Sequence, residues 1–242
     1  MKKTVAILLV LACVFALGAC SGSGTQTPNT PPLTPPASTS SAQDSLDTLA
    51  DLIRTSAPTQ SMVTTVTGTK DVNLKSELTI TMGELSGKEA ALYVHEYESF
   101  NDLGSKDAKT LTVETKEYVD GMGLRIDGGL WEPDQGNFVR KIVPYRLTLD
   151  ATVVKSLLVN ADITEATFVV PLENATDVFT SFDSKTIASM TSDISVTIKT
   201  DGTAVTLMAL EYSIKSVAGM ENPTVKVVAE YSYDLQSITL LK

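Results

Sequence analysis

The stretch DISVTIKTDGTAVTLMALEYSIK, residues 193–215, predicts a β-hairpin that sets the fold class. Residues that favour strands lie on both sides of Asp201-Gly202, and an Asp-Gly pair accommodates the positive φ angles of a tight turn. The second strand is apolar on both faces, with Val205 and Leu207 on one and Met208 on the other. A half-barrel whose concave face lies opposite helices across a cavity would explain this pattern, and so would a dimer face or simple variation in sequence.

The segments around this hairpin are also rich in strand-forming residues. The predicted strands are 62–70, 74–85, 90–100, 110–119, 124–126, 165–171 and 224–233, and the predicted helices are 44–53, 152–160 and 174–190. Most consecutive strands follow one another without an intervening helix, which favours antiparallel pairing. We therefore predict an α+β fold, in which a strongly curved antiparallel sheet, or half-barrel, carries helices packed on its concave face.

Residues 1–19 are predicted to form a leader for export. Lys2 and Lys3 precede an apolar run at 5–17 that is too short to span a bilayer of about 30 Å comfortably. The following Leu17-Gly18-Ala19-Cys20 resembles the lipobox of bacterial lipoproteins. The resemblance implies cleavage after residue 19 and a diacylglycerol on Cys20, which would anchor the protein to the extracytoplasmic face of a membrane. An ordinary signal peptide that is cut nearby is the alternative.

Composition excludes several classes of function. The formal net charge is -10, and removal of the leader takes away two lysines and no acid, so the mature chain is more acidic still. Such a chain is unsuited to nucleic acid, and its folded part is repelled by anionic lipid headgroups. Of the two cysteines, Cys13 leaves with the leader and Cys20 carries the lipid, so neither a disulfide nor a thiol nucleophile is expected.

The mature chain divides into a stalk and a globular domain. Residues 21–43 contain no charged residue and hold half of the ten prolines, a composition typical of an extended, flexible segment. We predict a leader at 1–19, the lipidated cysteine and stalk at 20–43, and one domain at 44–242.

This organisation resembles that of LolA/LprG-like proteins, the lipoprotein carriers and lipid-binding lipoproteins of bacteria. The similarity covers roughly residues 44–240 and rests on 117–121, 128–131, 194–198, 201–202 and 231–235. It implies a half-barrel of about eleven strands, closed by helices around an apolar pocket for acyl chains. The predicted pocket residues are Leu78, Ile80, Met82, Leu92, Val94, Ile194, Val196 and Leu207, and the alternative for each is ordinary core packing.

No set of residues indicates catalysis or a metal site. His95 is the single histidine, and a strand would place it with Tyr93 and Tyr97, away from Glu96 and Glu98. We expect it to be a half-exposed strand residue. The chain is therefore predicted to be a monomeric, non-enzymatic protein without cofactor or metal, which binds or carries a lipid or its acyl chains. The alternative is a protein-interaction or sensory module of the cell envelope with a filled core.

Overall fold

The computed structural model describes residues 33–35, 39–55, 57–68, 73–100, 109–134, 147–179, 182, 184–217, 219–234 and 236–240. The leader, Cys20 and most of the predicted stalk lie outside these residues. In the described part of the chain, no helix is both long and apolar enough to cross a membrane.

The described residues form three α-helices, one 3-10 helix and eleven strands. The helices are α1 (Thr39–Ile53), α2 (Ala175–Val178) and α3 (Ser184–Ser189), with the 3-10 helix at Leu172–Asn174. The strands are β1 (Thr59–Thr67), β2 (Asn73–Leu85), β3 (Lys88–Phe100), β4 (Lys109–Val119), β5 (Gly123–Ile126), β6 (Lys155–Val159), β7 (Glu165–Val170), β8 (Ile194–Thr200), β9 (Val205–Ser213), β10 (Thr224–Ser232) and β11 (Gln236–Ser237).

All eleven strands belong to one sheet. Two antiparallel meanders, β1 to β5 and β6 to β10, join where β1 pairs with β10, which gives the order β5-β4-β3-β2-β1-β10-β9-β8-β7-β6. The short β11 runs parallel to β2. β5 and β6 stand at the two ends of this path, so the sheet is not closed. The predicted antiparallel sheet is confirmed, and the described residues contain few helices.

One face of the sheet, which we call the main face, carries the principal core. Directly paired residues project to the same side of a sheet, and the register places Leu78, Met62, Ala229, Met208 and Ile198 in one row across five strands. All five are buried. Helix α1 contributes three leucine and isoleucine side chains to the same core, namely Leu46, Leu49 and Ile53.

A bulge in the hairpin of β8 and β9 accounts for the apolar residues on both faces of β9. The register shifts between Lys199 and Thr200, so Thr200 pairs with Val205 while Lys199 pairs with Leu207. Val205 therefore joins Met208 on the main face, and Leu207 lies on the opposite face. Strict alternation predicts Val205 and Leu207 on one face, and this prediction is wrong because it takes no account of an extra residue in one strand.

Three helix predictions need correction. Residues 155–159, predicted as helix, form β6, which pairs with β7 through Val159 and Ala166. Tertiary pairing overrides a weak local preference for helix in this segment. The predicted helix 174–190 is divided into the short α2 and α3. Helix α1 starts at Thr39 rather than at residue 44.

A smaller core lies on the opposite face near β3 and β4. It contains Ala90, Val119 and Ile238, with Trp131 packed against them. The chain after β10 reaches this core by passing over Gly83, where a Cβ would collide with the carbonyl of Gln236. The C-terminal segment is thus held against β2.

Candidate functional site

The structure separates the predicted pocket residues onto two faces. Five of them lie on the main face and are Leu78, Ile80, Met82, Ile194 and Val196. The other three lie on the opposite face and are Leu92, Val94 and Leu207. Because side chains alternate along a strand, these two groups cannot line one cavity.

The accessible part of the main face lies on β2 and β3. Ile194 and Val196, on β8, are fully covered and belong to the core. Ile80 and Met82 on β2 are only half-buried, although they pack against the same core. Their cross-strand neighbour Tyr93 is half-buried as well. The apolar surface is therefore continuous from the closed core to an accessible region.

His95 is the centre of a polar cluster on this face. Its Nε2 lies 2.8 Å from Ser76 Oγ, and its Nδ1 lies 3.4 Å from the hydroxyl of Tyr93. The ring of Tyr97 lies against the imidazole with a centroid distance of 4.8 Å. His95 is only 3% exposed, so the expectation of a half-exposed histidine was wrong. Tyrosine rings on the same strand, two residues away on each side, contribute to this burial.

Two charged residues of β4 border the cluster. Glu114 pairs directly with His95, and Lys116 pairs with Tyr93. Lys116 Nζ lies 2.7 Å from the Glu114 carboxylate and 4.6 Å from the centroid of the Tyr93 ring. The two charges therefore compensate each other at the rim of the cluster.

The cluster disfavours charge at its centre. Burial lowers the pKa of His95 below its usual 6.5; Glu114 opposes this shift and Lys116 adds to it. Burial, with smaller effects of Glu114 and Tyr97, raises the pKa of Tyr93 to about 12. At neutral pH the cluster thus presents uncharged donors and acceptors, which suit a neutral polar group.

A row of hydroxyl groups extends from this cluster toward the centre of the sheet. Thr112 pairs with Tyr97, Tyr97 with Ser76, and Ser76 with Thr64. Sequence reasoning missed Ser76, Thr64 and Lys116, because isolated serine, threonine and lysine residues are common on strands. Only the pairing register brings them together.

Two further surface features lie at the β4–β5 end of the sheet. An open depression of about 330 Å³ is bordered by Tyr118, Asp120, Met122, Pro133 and Asp134 at the β4–β5 turn. Five large apolar residues of the described chain are exposed, namely Leu111 and Val113 on β4, Met122 in the β4–β5 turn, Ile126 on β5, and Leu130. Within the described ranges, no group of three or more His, Cys, Asp or Glu residues is arranged to hold a metal ion.

On the opposite face, a buried carboxylate supports the β4–β5 end. Glu117 is 1% exposed and is ion-paired with Arg125, whose guanidinium lies 5.1 Å from the centroid of the Trp131 ring. The ion pair and Trp131 belong to the packing of the smaller core rather than to the His95 cluster.

No protein-family model matches the chain, and no curated protein matches it. A weak structural neighbour is a DUF1329 family protein from Desulfovibrio piger, with 10% identity and a TM-score of 0.23 over 80% of this chain and 94% of that one. Two chains with so low a TM-score need not share a fold, so the fold described above rests on the strand register.

Proposed function

We propose that the protein is a lipoprotein, anchored through Cys20 to the extracytoplasmic face of a membrane, that binds a lipid or its acyl chains. The sheet would be curved, with α1 on its concave side, and the ligand would lie between them on the β2–β3 part of the main face. The domain would act as a monomer without catalytic residues or a cofactor, as in the LolA/LprG-like proteins that the sequence resembles.

One observation carries this proposal. Ile80 and Met82 continue the buried core of the main face but stay half-buried among the described residues. Removing apolar surface from water contributes about 25 cal/mol per Å², so an acyl chain laid along such a strip gains binding free energy. A flexible thioether such as that of Met82 adapts to chains of different shape.

Native mass spectrometry provides the first test. The sample is the chain from residue 20 onward with Cys20→Ser, so that it carries no lipid. It keeps Thr34 and α1, because both are part of the folded structure. We expect a co-purifying lipid, identified by solvent extraction, or uptake of added phospholipid. If the measured mass is that of the protein alone and does not change when phospholipid is added, the proposal is overturned.

A matched pair of variants locates the ligand. Ile80 on β2 and Val94 on β3 are both half-buried but lie on opposite faces. Ile80→Thr should weaken lipid binding, whereas Val94→Thr should leave it unchanged. Equal loss in both variants would mean that the main face does not hold the ligand.

The exposed apolar residues at the β4–β5 end favour the second candidate, an interaction module. Leu111 is 63% exposed and Val113 48% on the opposite face of β4, and contiguous exposed apolar surface is typical of protein interfaces. Crosslinking in native membranes would distinguish the candidates. A crosslinked partner that is lost with Leu111→Ser/Val113→Ser, together with an absence of bound lipid, would favour the module.

A further inference from the structure

The hydroxyl row on the main face becomes more buried as it crosses the sheet. Its four members, Thr112, Tyr97, Ser76 and Thr64, belong to four adjacent strands about 4.8 Å apart, so the row is about 14 Å long. Thr112 and Tyr97 are partly exposed, Ser76 is 6% exposed and Thr64 is 3% exposed. The row thus leads from the accessible side of the face into its interior.

The inner end of the row holds a hydroxyl without a partner. Within the described part of the chain, no atom forms a hydrogen bond with Thr64 Oγ1, although this atom is buried. An unsatisfied buried hydroxyl destabilises the folded protein, because it has lost its hydrogen bonds to water. Its neighbours along the face, Met62, Val66 and Val227, are apolar and buried, so valine would suit this position better for packing alone. The Thr64 hydroxyl therefore keeps its hydrogen-bonding capacity for a further group.

The neighbouring Ser76 belongs to a chain of hydrogen-bonding groups that passes through both ring nitrogens of His95 to Tyr93. A neutral imidazole has one donor and one acceptor nitrogen, so one of the two terminal hydroxyls accepts from the ring and the other donates to it. Ser76 therefore keeps either a donor or acceptor capacity for a further partner, and the tautomer of His95 decides which is used.

We propose that Thr64 and Ser76 bind the neutral hydroxyl head group of an amphiphile, such as a fatty alcohol, whose hydrocarbon chain runs along β2 past Ile80 and Met82. This inference rests on the proposed lipid-binding function and names its ligand class. A hydroxyl both donates and accepts, which matches two side-chain hydroxyls. A charged head group finds no uncompensated charge, because Lys116 and Glu114 are paired.

The test uses 1-decanol and n-decane as matched probes and the chain from residue 20 onward with Cys20→Ser. Thr64→Val removes the hydroxyl at nearly constant shape, and Thr65→Val makes the same change one residue later, on the opposite face. We expect Thr64→Val to weaken decanol binding about three- to tenfold, as for one lost hydrogen bond, and to leave decane binding unchanged. Thr65→Val should change neither.

A second measurement separates binding from folding. Removing an unsatisfied buried hydroxyl should raise the melting temperature of the ligand-free protein by about 2 °C. The expected result is therefore a more stable protein that binds decanol less well.

Three outcomes would overturn the inference. If the parent chain binds both probes and Thr64→Val leaves their affinity ratio unchanged, the head-group site is wrong and the lipid-binding function remains. If the parent chain binds neither probe, both proposals fail. If Thr64→Val lowers the melting temperature, the Thr64 hydroxyl has a partner within the protein and is not left for a ligand to bind.

Discussion

Thr34 forms two backbone hydrogen bonds with Val159 at the β6 end of the sheet. The Thr34 N–H donates to the Val159 carbonyl at 3.3 Å, and the Val159 N–H donates to the Thr34 carbonyl at 3.0 Å. Thr34 belongs to the proline-rich segment predicted as stalk. If Cys20 carries the lipid, the chain from Cys20 to this contact spans at most roughly 45–50 Å when fully extended. With such an anchor, the contact would limit how far β6 can move from the membrane.

The bond between Thr34 and Val159 predicts a local change on substitution. Thr34→Pro removes one donor, so the Val159 amide should exchange its hydrogen about fivefold faster, as expected for about 1 kcal/mol. Hydrogen exchange read by NMR checks this, with the amide of Leu210 in the centre of the sheet as an unchanged reference. Equal exchange of Val159 in both proteins would show that the contact contributes no protection.

His95 predicts a pH dependence of stability. Its pKa is lowered by burial in the folded state, whereas an unfolded histidine keeps about 6.5. Above that pH both states are neutral. As the pH falls below it, the unfolded state takes up a proton that the folded state does not, so the free energy of unfolding decreases until the lower folded pKa is reached. One proton contributes at most about 1.4 kcal/mol per pH unit.

The measurement is urea unfolding at several pH values between 7.5 and 5.5. The parent chain should lose stability over this range, and His95→Gln should lose less. His95 is the single histidine of the sequence, which makes the difference attributable to it. Parallel curves for the two proteins would contradict the burial of a neutral imidazole.

Helix α1 predicts a large effect of a small deletion. Leu49 is fully buried in the core of the main face, whereas Thr48 is exposed. Leu49→Ala should therefore lower the free energy of unfolding by about 2–5 kcal/mol, through lost burial and the cavity that remains. Thr48→Ala should change it by about 0.5 kcal/mol or less. Equally mild effects would show that α1 is not packed on the sheet.

The close approach of Gln236 to Gly83 predicts that the effect of a substitution at Gly83 depends on the C-terminal segment. A Cβ at Gly83 collides with the backbone of Gln236, so Gly83→Ala should displace β11 and expose Ile238. Exposure of the Ile238 side chain should lower the free energy of unfolding by about 2 kcal/mol. The control is a chain ended after Asp234, in which Gly83→Ala should have little further effect on the melting temperature. Additive effects of truncation and substitution would contradict this coupling.

The Arg125–Glu117 ion pair predicts that replacing one partner lowers the melting temperature more than replacing both. Arg125→Met leaves the carboxylate of Glu117 buried without its charge partner and should lower the melting temperature clearly. Arg125→Met/Glu117→Leu replaces both groups by apolar ones and should recover much of the loss. Failure of the double variant to recover would mean that Glu117 has a further role in the smaller core.

The sequence by itself determined nine of the eleven strands and the main turn. Asp201-Gly202 forms the turn between β8 and β9, where the Asp201 carboxylate accepts hydrogen bonds from the backbone of Thr203 and Ala204. Such signals are local, because the turn chemistry and the alternation belong to consecutive residues. The export and lipidation predictions are of the same local kind and concern residues outside the described ranges.

Only the tertiary structure decided which strands pair and which side chains meet. A one-residue bulge in β9 places Val205 on the same face as Met208, and the pairing of β2 with β3 places Ser76 beside Tyr97 and near His95. Pairing also made 155–159 a strand despite its predicted helix. The physical reason is that a strand's register depends on partners far away in the chain, and a shift by one residue exchanges its two faces.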